Sequence, residues 1–296
     1  MVSFSCETAM TTDDDSSPPQ SDRFFCSVSP DFKEETLAGC RLLMPTVSVG
    51  NVPQLVLDLL LNSLPGRRSR IGTILHRSLV PVFGIGVFEG AESEPTTSCD
   101  VFLDDTSRVV FLQFRSPVIP SRSPSFITSL RLWIQRVGIV SVTCVASCFD
   151  HERPNPSLSP FACIATATEC KGELDALNET LRSLKLDSLS LESCLPANGP
   201  SIASGEGYFD RFPGSGFLRD LFQQCQSCDL PCMVFLKFCA EGNNIPDAFQ
   251  LIRYVEAHMQ IIGGHSPEER VDAPYPWRPP PSWHHLFGPP APVGLF

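Results

Sequence analysis

Three stretches of the sequence predict a layered α/β fold with a mostly parallel central sheet. Residues 42–61 read as a buried strand, a tight turn and an almost wholly apolar helix. Residues 108–145 read as strand, helix and strand, the pattern of parallel strands joined by a right-handed crossover. Residues 232–262 repeat the strand-then-helix order. Elements alternating in this way bury both faces of a sheet under helices.

Taken in order, residues 1–36 hold eight acidic and two basic residues, about half of the chain's net charge of -11, with Asp13, Asp14 and Asp15 running into Ser-Ser-Pro-Pro. That composition predicts a disordered acidic tail over 1–36. Ordered patterning begins near Leu37. After the strand at 42, Gly50 supplies a permissive turn residue, Asn51 stands as N-cap, and Pro53 falls in the first helical turn, where its missing N–H costs nothing. From 53 to 64 the polar side chains before Ser63 are Gln54, Asp58 and Asn62, at i, i+4 and i+8 on one narrow stripe. The rest of that helix surface is apolar. Its length is too short for a bilayer, which takes about 20 residues. Two protein layers must therefore cover it: the chain's own sheet, and either a second helix layer or a partner chain.

Residues 108–114 have strand character. Ser123-Pro124 then caps a helix whose Ile127, Leu130, Ile134 and Val137 recur at helical spacing, Gly138 ends it, and 139–145 follow as a continuous buried strand. Residues 150–156 read as a loop, 173–184 as an exposed helix with Leu174, Leu177 and Leu181 inward, and 194–204 as irregular chain. Residues 232–240 form the next strand. It leads through Glu241-Gly-Asn-Asn to a helix with Asn244 as cap, Pro246 in its first turn and Asp247 in the place of a capping-box acid. Ala248, Leu251, Ile252, Val255, Met259 and Ile262 make its buried stripe. The α/β domain thus spans 37–262. Residues 263–296 hold nine of the 28 prolines, which excludes helix and central strand over most of the segment. The same residues retain Trp277, Trp283, Leu286, Phe287, Leu295 and Phe296, as an extended arm docking its aromatics on a surface would.

Composition narrows the function. A sequence pI near 5, with no basic cluster beyond Arg67, Arg68 and Arg70, argues against nucleic acid and membrane surfaces as partners. Met1 is followed by polar and acidic residues rather than a basic start and an apolar run, so no signal peptide is expected and the chain is expected inside the cell. Thirteen cysteines, an odd number set in apolar stretches, fit reduced buried thiols better than a disulfide framework.

The fragments that suggest chemistry are incomplete. Gly84, Gly86 and Gly90 approach a dinucleotide loop, but the third glycine of that fingerprint would fall at 89, which is Glu89. Pro213-Gly-Ser-Gly216 precedes a helical run and could cradle an anion, yet no lysine follows as in a P-loop and Ser215 lacks the spacing of a nucleophile elbow. Cys225 and Cys228, with Cys232 and Cys239 behind them, offer a metal-like pair without two further ligands at matching spacing. Asp58, Asp104 and Asp105 have no histidine or second carboxylate suited to acid–base work. No catalytic set, cofactor site or metal site is expected.

Three separated blocks carry a family resemblance: residues 42–61, Leu236-Lys-Phe-Cys-Ala-Glu-Gly-Asn-Asn-Ile-Pro-Asp-Ala248, and Pro281-Ser-Trp-His-His-Leu-Phe-Gly288. In that order they resemble the proteasome assembly chaperone family over about 37–296, leaving out the acidic tail and parts of 90–105 and 150–205. The resemblance implies a non-catalytic three-layer α/β/α sandwich, distantly similar to phosphorylase-like folds. It implies a heterodimer with a proteasome assembly chaperone 1-like subunit that binds proteasome α-subunits, promotes α-ring formation and suppresses off-pathway α-ring association, in the cytoplasm and also the nucleus. On this resemblance Val49, Asn51, Val52, Pro53, Leu57 and Leu61 are candidates for the heterodimer face. Trp283, Leu286, Phe287, Leu295 and Phe296 are candidates for partner contacts of the arm. Related chaperones end in a hydrophobic-tyrosine-any motif that docks between α-subunits; here Leu295 stands where tyrosine would, so bulk and carboxylate remain and the phenol is lost. The alternative is a phosphorylase-like small-molecule enzyme or ligand-binding protein using Gly214-Ser-Gly216 for an anion.

Overall fold

A computed structural model describes residues 23–64, 66–91, 94–153, 159–166, 169–184, 186–187, 189, 212–262 and 277–285. Its strands are β1 (Phe25–Ser27), β2 (Arg41–Pro45), β3 (Arg68–Ile74), β4 (Phe83–Gly84), β5 (Thr96–Thr97), β6 (Cys99–Asp104), β7 (Val109–Phe114), β8 (Ser141–Phe149), β9 (Phe161–Ala165) and β10 (Cys232–Cys239). Its α-helices are α1 (Val52–Asn62), α2 (Ser123–Val137), α3 (Glu169–Ser183), α4 (Leu218–Ser227) and α5 (Ile245–Met259). Eight strands make one sheet in the order β1-β3-β6-β7-β2-β8-β10-β9, and β4 and β5 form a separate ribbon. The centre, β7-β2-β8-β10, is parallel, while the pairs on both flanks are antiparallel. The expected β7-α2-β8 crossover is present, with β2 inserted between its two strands.

Period-two alternation divides the interior into two cores. Val110, Leu112 and Phe114 of β7, with Val234, Leu236 and Phe238 of β10, face Phe126, Ile127, Leu130 and Trp133 of α2 and Leu218, Leu221 and Phe222 of α4. Val109, Phe111, Met233 and Phe235 face the opposite way, into a core with α1, α3 and α5. Strands covered on both faces have no polar side to show, so β7 and β10 are buried along their whole length. The result is the three-layer α/β/α sandwich.

Several expectations need correction. Residues 23–36, expected within the disordered tail, are part of the fold: β1 pairs with β3, Phe25 stacks on Trp133 at 5.8 Å, and Glu34 accepts hydrogen bonds from Trp133 Nε1 and Arg136. Charge averaged over the segment hid the Phe24-Phe25 pair. Residues 1–22 lie outside the described residues, as do most of the arm and 190–211. Strands β3, β6 and β9 were not anticipated. At β3 the arginines masked the strand, and they are consumed internally: Arg67, just before it, pairs with Asp104 at 2.5 Å and Arg70 with Asp100 at 2.7 Å, while Arg68 donates to the carbonyls of Leu61 and Glu89. Asn51 precedes α1 with φ of 53° and makes no side-chain cap. Ser123 lies inside α2, its hydroxyl donating to Asp220 instead of capping.

Candidate functional site

The apolar excess of α1 is answered within the chain. Every residue from Val52 to Asn62 except Gln54 is buried. The sheet lies beneath, α5 packs alongside, and Phe88, Trp277 and Trp283 belong to the same core. The polar stripe read from the sequence organises this cover. Asp58 accepts from Arg115 Nη1 and Nη2 (2.9 and 2.6 Å), from Gln113 Nε2 (2.6 Å) and from Trp283 Nε1 (3.4 Å). Asn62 donates through Nδ2 to the carbonyls of Arg278 and Pro279 and accepts from Glu89 N–H. Arg278 N–H donates to Ser63 Oγ. An otherwise apolar helix thus uses two of its three stripe positions, Asp58 and Asn62, for a buried ion pair and for holding the segment 277–285, while Gln54 donates to Asn51.

In open α/β sheets a ligand binds beyond the carboxyl ends of the strands, where neighbouring strands send the chain to opposite faces. Here β2 leads to α1 on one face and β7 to α2 on the other, so the crevice lies at the ends of these two strands. Protein fills it. Ser147 Oγ donates to Val49 O (2.6 Å) and so accepts from Ser48 Oγ (2.8 Å), while Ser147 N–H donates to Ser48 Oγ (3.1 Å). Val49 N–H donates to Gly214 O, and Phe149 N–H to Pro213 O. Gly214 and Gly216 adopt φ of 82° and 67°. A Cβ on Gly214 would lie 2.3 Å from Val49 Cγ2, and one on Gly216 2.4 Å from Val47 O. The glycines therefore serve close packing of the turn against the 46–51 loop and the Phe149 ring. Phe217 closes the far side against Phe114 and Phe126.

The nearby thiols are suited to packing. Burial raises Cys144 and Cys148 well above the ordinary thiol range, and burial followed by Asp247 pushes Cys239 up to about 11. These groups stay protonated at neutral pH, whereas a nucleophile needs the thiolate. Cys232 and Cys239 open and close one strand, about 23 Å apart, and cannot join Cys225 and Cys228 around one ion.

The expected partner-binding residues fare unevenly. Val49, Val52, Pro53, Leu57 and Leu61 are buried inside the monomer, so α1 offers no apolar face through them; Asn51 alone of that set is exposed. The cause is the second cover that segment 277–285 and α5 supply. Trp283 is buried against α1, while Leu286, Phe287, Leu295 and Phe296 lie outside the described residues. Among the described residues the two most exposed large apolar side chains, Phe83 and Ile85, sit elsewhere, on β4 and its flank. Their signal in the sequence was an uncharged apolar run, read there only for its glycines.

Comparison with known proteins agrees with this architecture. A family model described as the PAC2 family matches residues 42–257, from β2 into α5. Relatives named "Proteasome assembly chaperone 2" from Bos taurus and Homo sapiens are 34% and 33% identical over 265 residues, spanning 88% of this chain and 96% of each relative. The crystal structure of Pyrococcus furiosus PbaA, described as an archaeal homolog of proteasome-assembly chaperone, matches with a TM-score of 0.54 at 14% identity. That match covers 82% of this chain and 88% of the other, and shows a shared fold. By the extent of the matched family and the near-full-length relatives, the chain belongs to the PAC2 family.

Proposed function

We propose that this chain is a subunit of a proteasome-assembly chaperone that works by binding rather than by catalysis. It pairs with a proteasome assembly chaperone 1-like subunit, and the pair holds proteasome α-subunits during α-ring formation and keeps α-rings from associating off the pathway, in the cytoplasm and nucleus. The observation that carries this reading is the similarity to the chaperone relatives along 96% of their length. The Gly214–Gly216 turn supports it, because its glycines are used for close packing against Val47, Val49 and Phe149.

The test is co-expression of the full chain with a chaperone 1-like subunit, followed by capture of α-subunits. A stable heterodimer that retains α-subunits is the expected result. A monomer that captures neither overturns the proposal.

A further inference from the structure

One stretch of surface departs from the rest of the chain. Residues 79–87, Leu-Val-Pro-Val-Phe-Gly-Ile-Gly-Val, carry no charge in a sequence that is 19% charged. Phe83 is 81% exposed and Ile85 82%, with Val80 and Val82 at 40% and 39%. The backbone beneath them is well tied. Phe83 and Gly84 pair with Thr97 and Thr96. Val82 N–H donates to Ser98 Oγ, which donates on to Val80 O. Thr96 and Thr97 are bound in turn to the buried Asp100 carboxylate. Gly86 lies against the carbonyls of Ala91 and Glu94, where any Cβ would collide with backbone. Apolar side chains are thus presented to water from an ordered ribbon, so little ordering entropy is lost when they are covered.

We infer that the β4-β5 ribbon is the surface on which the partner subunit docks, the partner being a second chain of the same family; this rests on the heterodimer proposed above. The four exposed side chains offer about 400 Å² of apolar surface, about half of the ~800 Å² that each partner buries in a standard interface. The absence of charge matches the centre of an interface, where charged residues are depleted and aromatic anchors concentrate. The outer edge of β4 faces no strand among the described residues, leaving backbone groups for an added strand. A lasting partner fits better than a transient client. Permanent interfaces are the more hydrophobic kind, and a ribbon this apolar left uncovered between encounters would promote aggregation.

The experiment uses full-length chain carrying Phe83→Asp and Ile85→Asp, co-expressed with the chaperone 1-like subunit and compared with wild type. Both side chains project into solvent, so the circular dichroism spectrum and melting temperature should stay those of wild type. Affinity for the partner should fall about 100-fold or more. Should the aspartates impair folding, Phe83→Ser with Ile85→Thr keeps strand character and should weaken pairing about 10-fold. Leu132→Asp on α2, an exposed apolar position away from the ribbon, should pair as wild type. Undiminished pairing of the ribbon variants overturns the inference and leaves the proposed function standing. Pairing that survives while α-subunit capture or self-association is lost also overturns it, as does an equal loss from Leu132→Asp. A wild-type chain that pairs with no such subunit removes both.

Discussion

Replacing Asp58 tests whether the ion pair on α1 holds the second cover in place. Asp58→Ala leaves Arg115, whose side chain is only 16% exposed, without its carboxylate, and strips acceptors from Gln113 Nε2 and Trp283 Nε1. Breaking a buried pair from one side costs about 3–5 kcal/mol, because the remaining charge stays desolvated. Arg115→Ala should cost somewhat less, about 3 kcal/mol, since Gln113 and Trp283 still donate to Asp58. The double variant should be more stable than the sum of the singles implies, by about 2–3 kcal/mol of coupling. Asp58→Leu with Arg115→Met, which replaces the pair with apolar bulk, should fall within about 2 kcal/mol of wild type. Urea unfolding supplies the numbers, with the midpoint shifting at constant slope. Trp283→Phe adds a check on the arm: it keeps most of the ring and loses one long hydrogen bond, so it should cost about 1 kcal/mol. A loss below about 1 kcal/mol for Asp58→Ala, or an additive cycle, would refute the view that this cluster is a buried, coupled anchor.

Two further expectations concern the crevice and the helix beside it. Gly216→Ala places a Cβ 2.4 Å from the Val47 carbonyl at φ of 67°, and should lower stability by about 2–4 kcal/mol; a loss under about 1 kcal/mol in urea would mean that the 46–51 loop yields and the crevice can open. His258 is held at a pKa of about 4 by burial and then by Arg41. Its folded pKa lies below the unfolded value of about 6.5, so the unfolded chain takes up the proton first as pH falls. The associated stability is complete above about pH 6.5, declines towards pH 4, and amounts to about 2–3 kcal/mol. Subtracting the stability curve of His258→Gln from that of wild type should isolate this slope from the carboxylates; a flat difference between pH 4 and 6.5 would contradict it.

Much of the architecture was legible because periodicity is written locally. The predicted strand at 108–114, the helix ending at Gly138 and the stripe from Ala248 to Met259 all appear close to where spacing put them. Elements that broke a simple pattern escaped. β3 and the residue before it carry arginines whose acidic partners, Asp100 and Asp104, lie 30 and 37 residues away on β6, so charges that interrupt the apolar pattern are internal ion pairs. Capping by Asn51, Ser123 and Asn244 failed for local reasons: Asn51 takes a φ of 53°, and the Ser123 and Asn244 side chains donate elsewhere. Asn244 Nδ2, for instance, donates to Ala240 O and Asp247, an orientation that leaves its Oδ1 without a partner instead of capping α5.

The 42–61 segment marks the boundary between the two kinds of information. Composition and spacing were enough to establish a helix that needs two covers, with Gln54, Asp58 and Asn62 on one stripe, because hydrophobic demand is a property of the helix itself. They left open whether a partner or the chain would meet that demand. Which surface does so depends on contacts between residues more than 200 positions apart, such as Trp283 with Asp58 and Arg278 with Asn62 and Ser63. The same packing that buries Leu57 and Leu61 leaves Phe83 and Ile85 in solvent. Burial is a property of the assembled layers, so the location of the free apolar surface emerged only when the chain was folded.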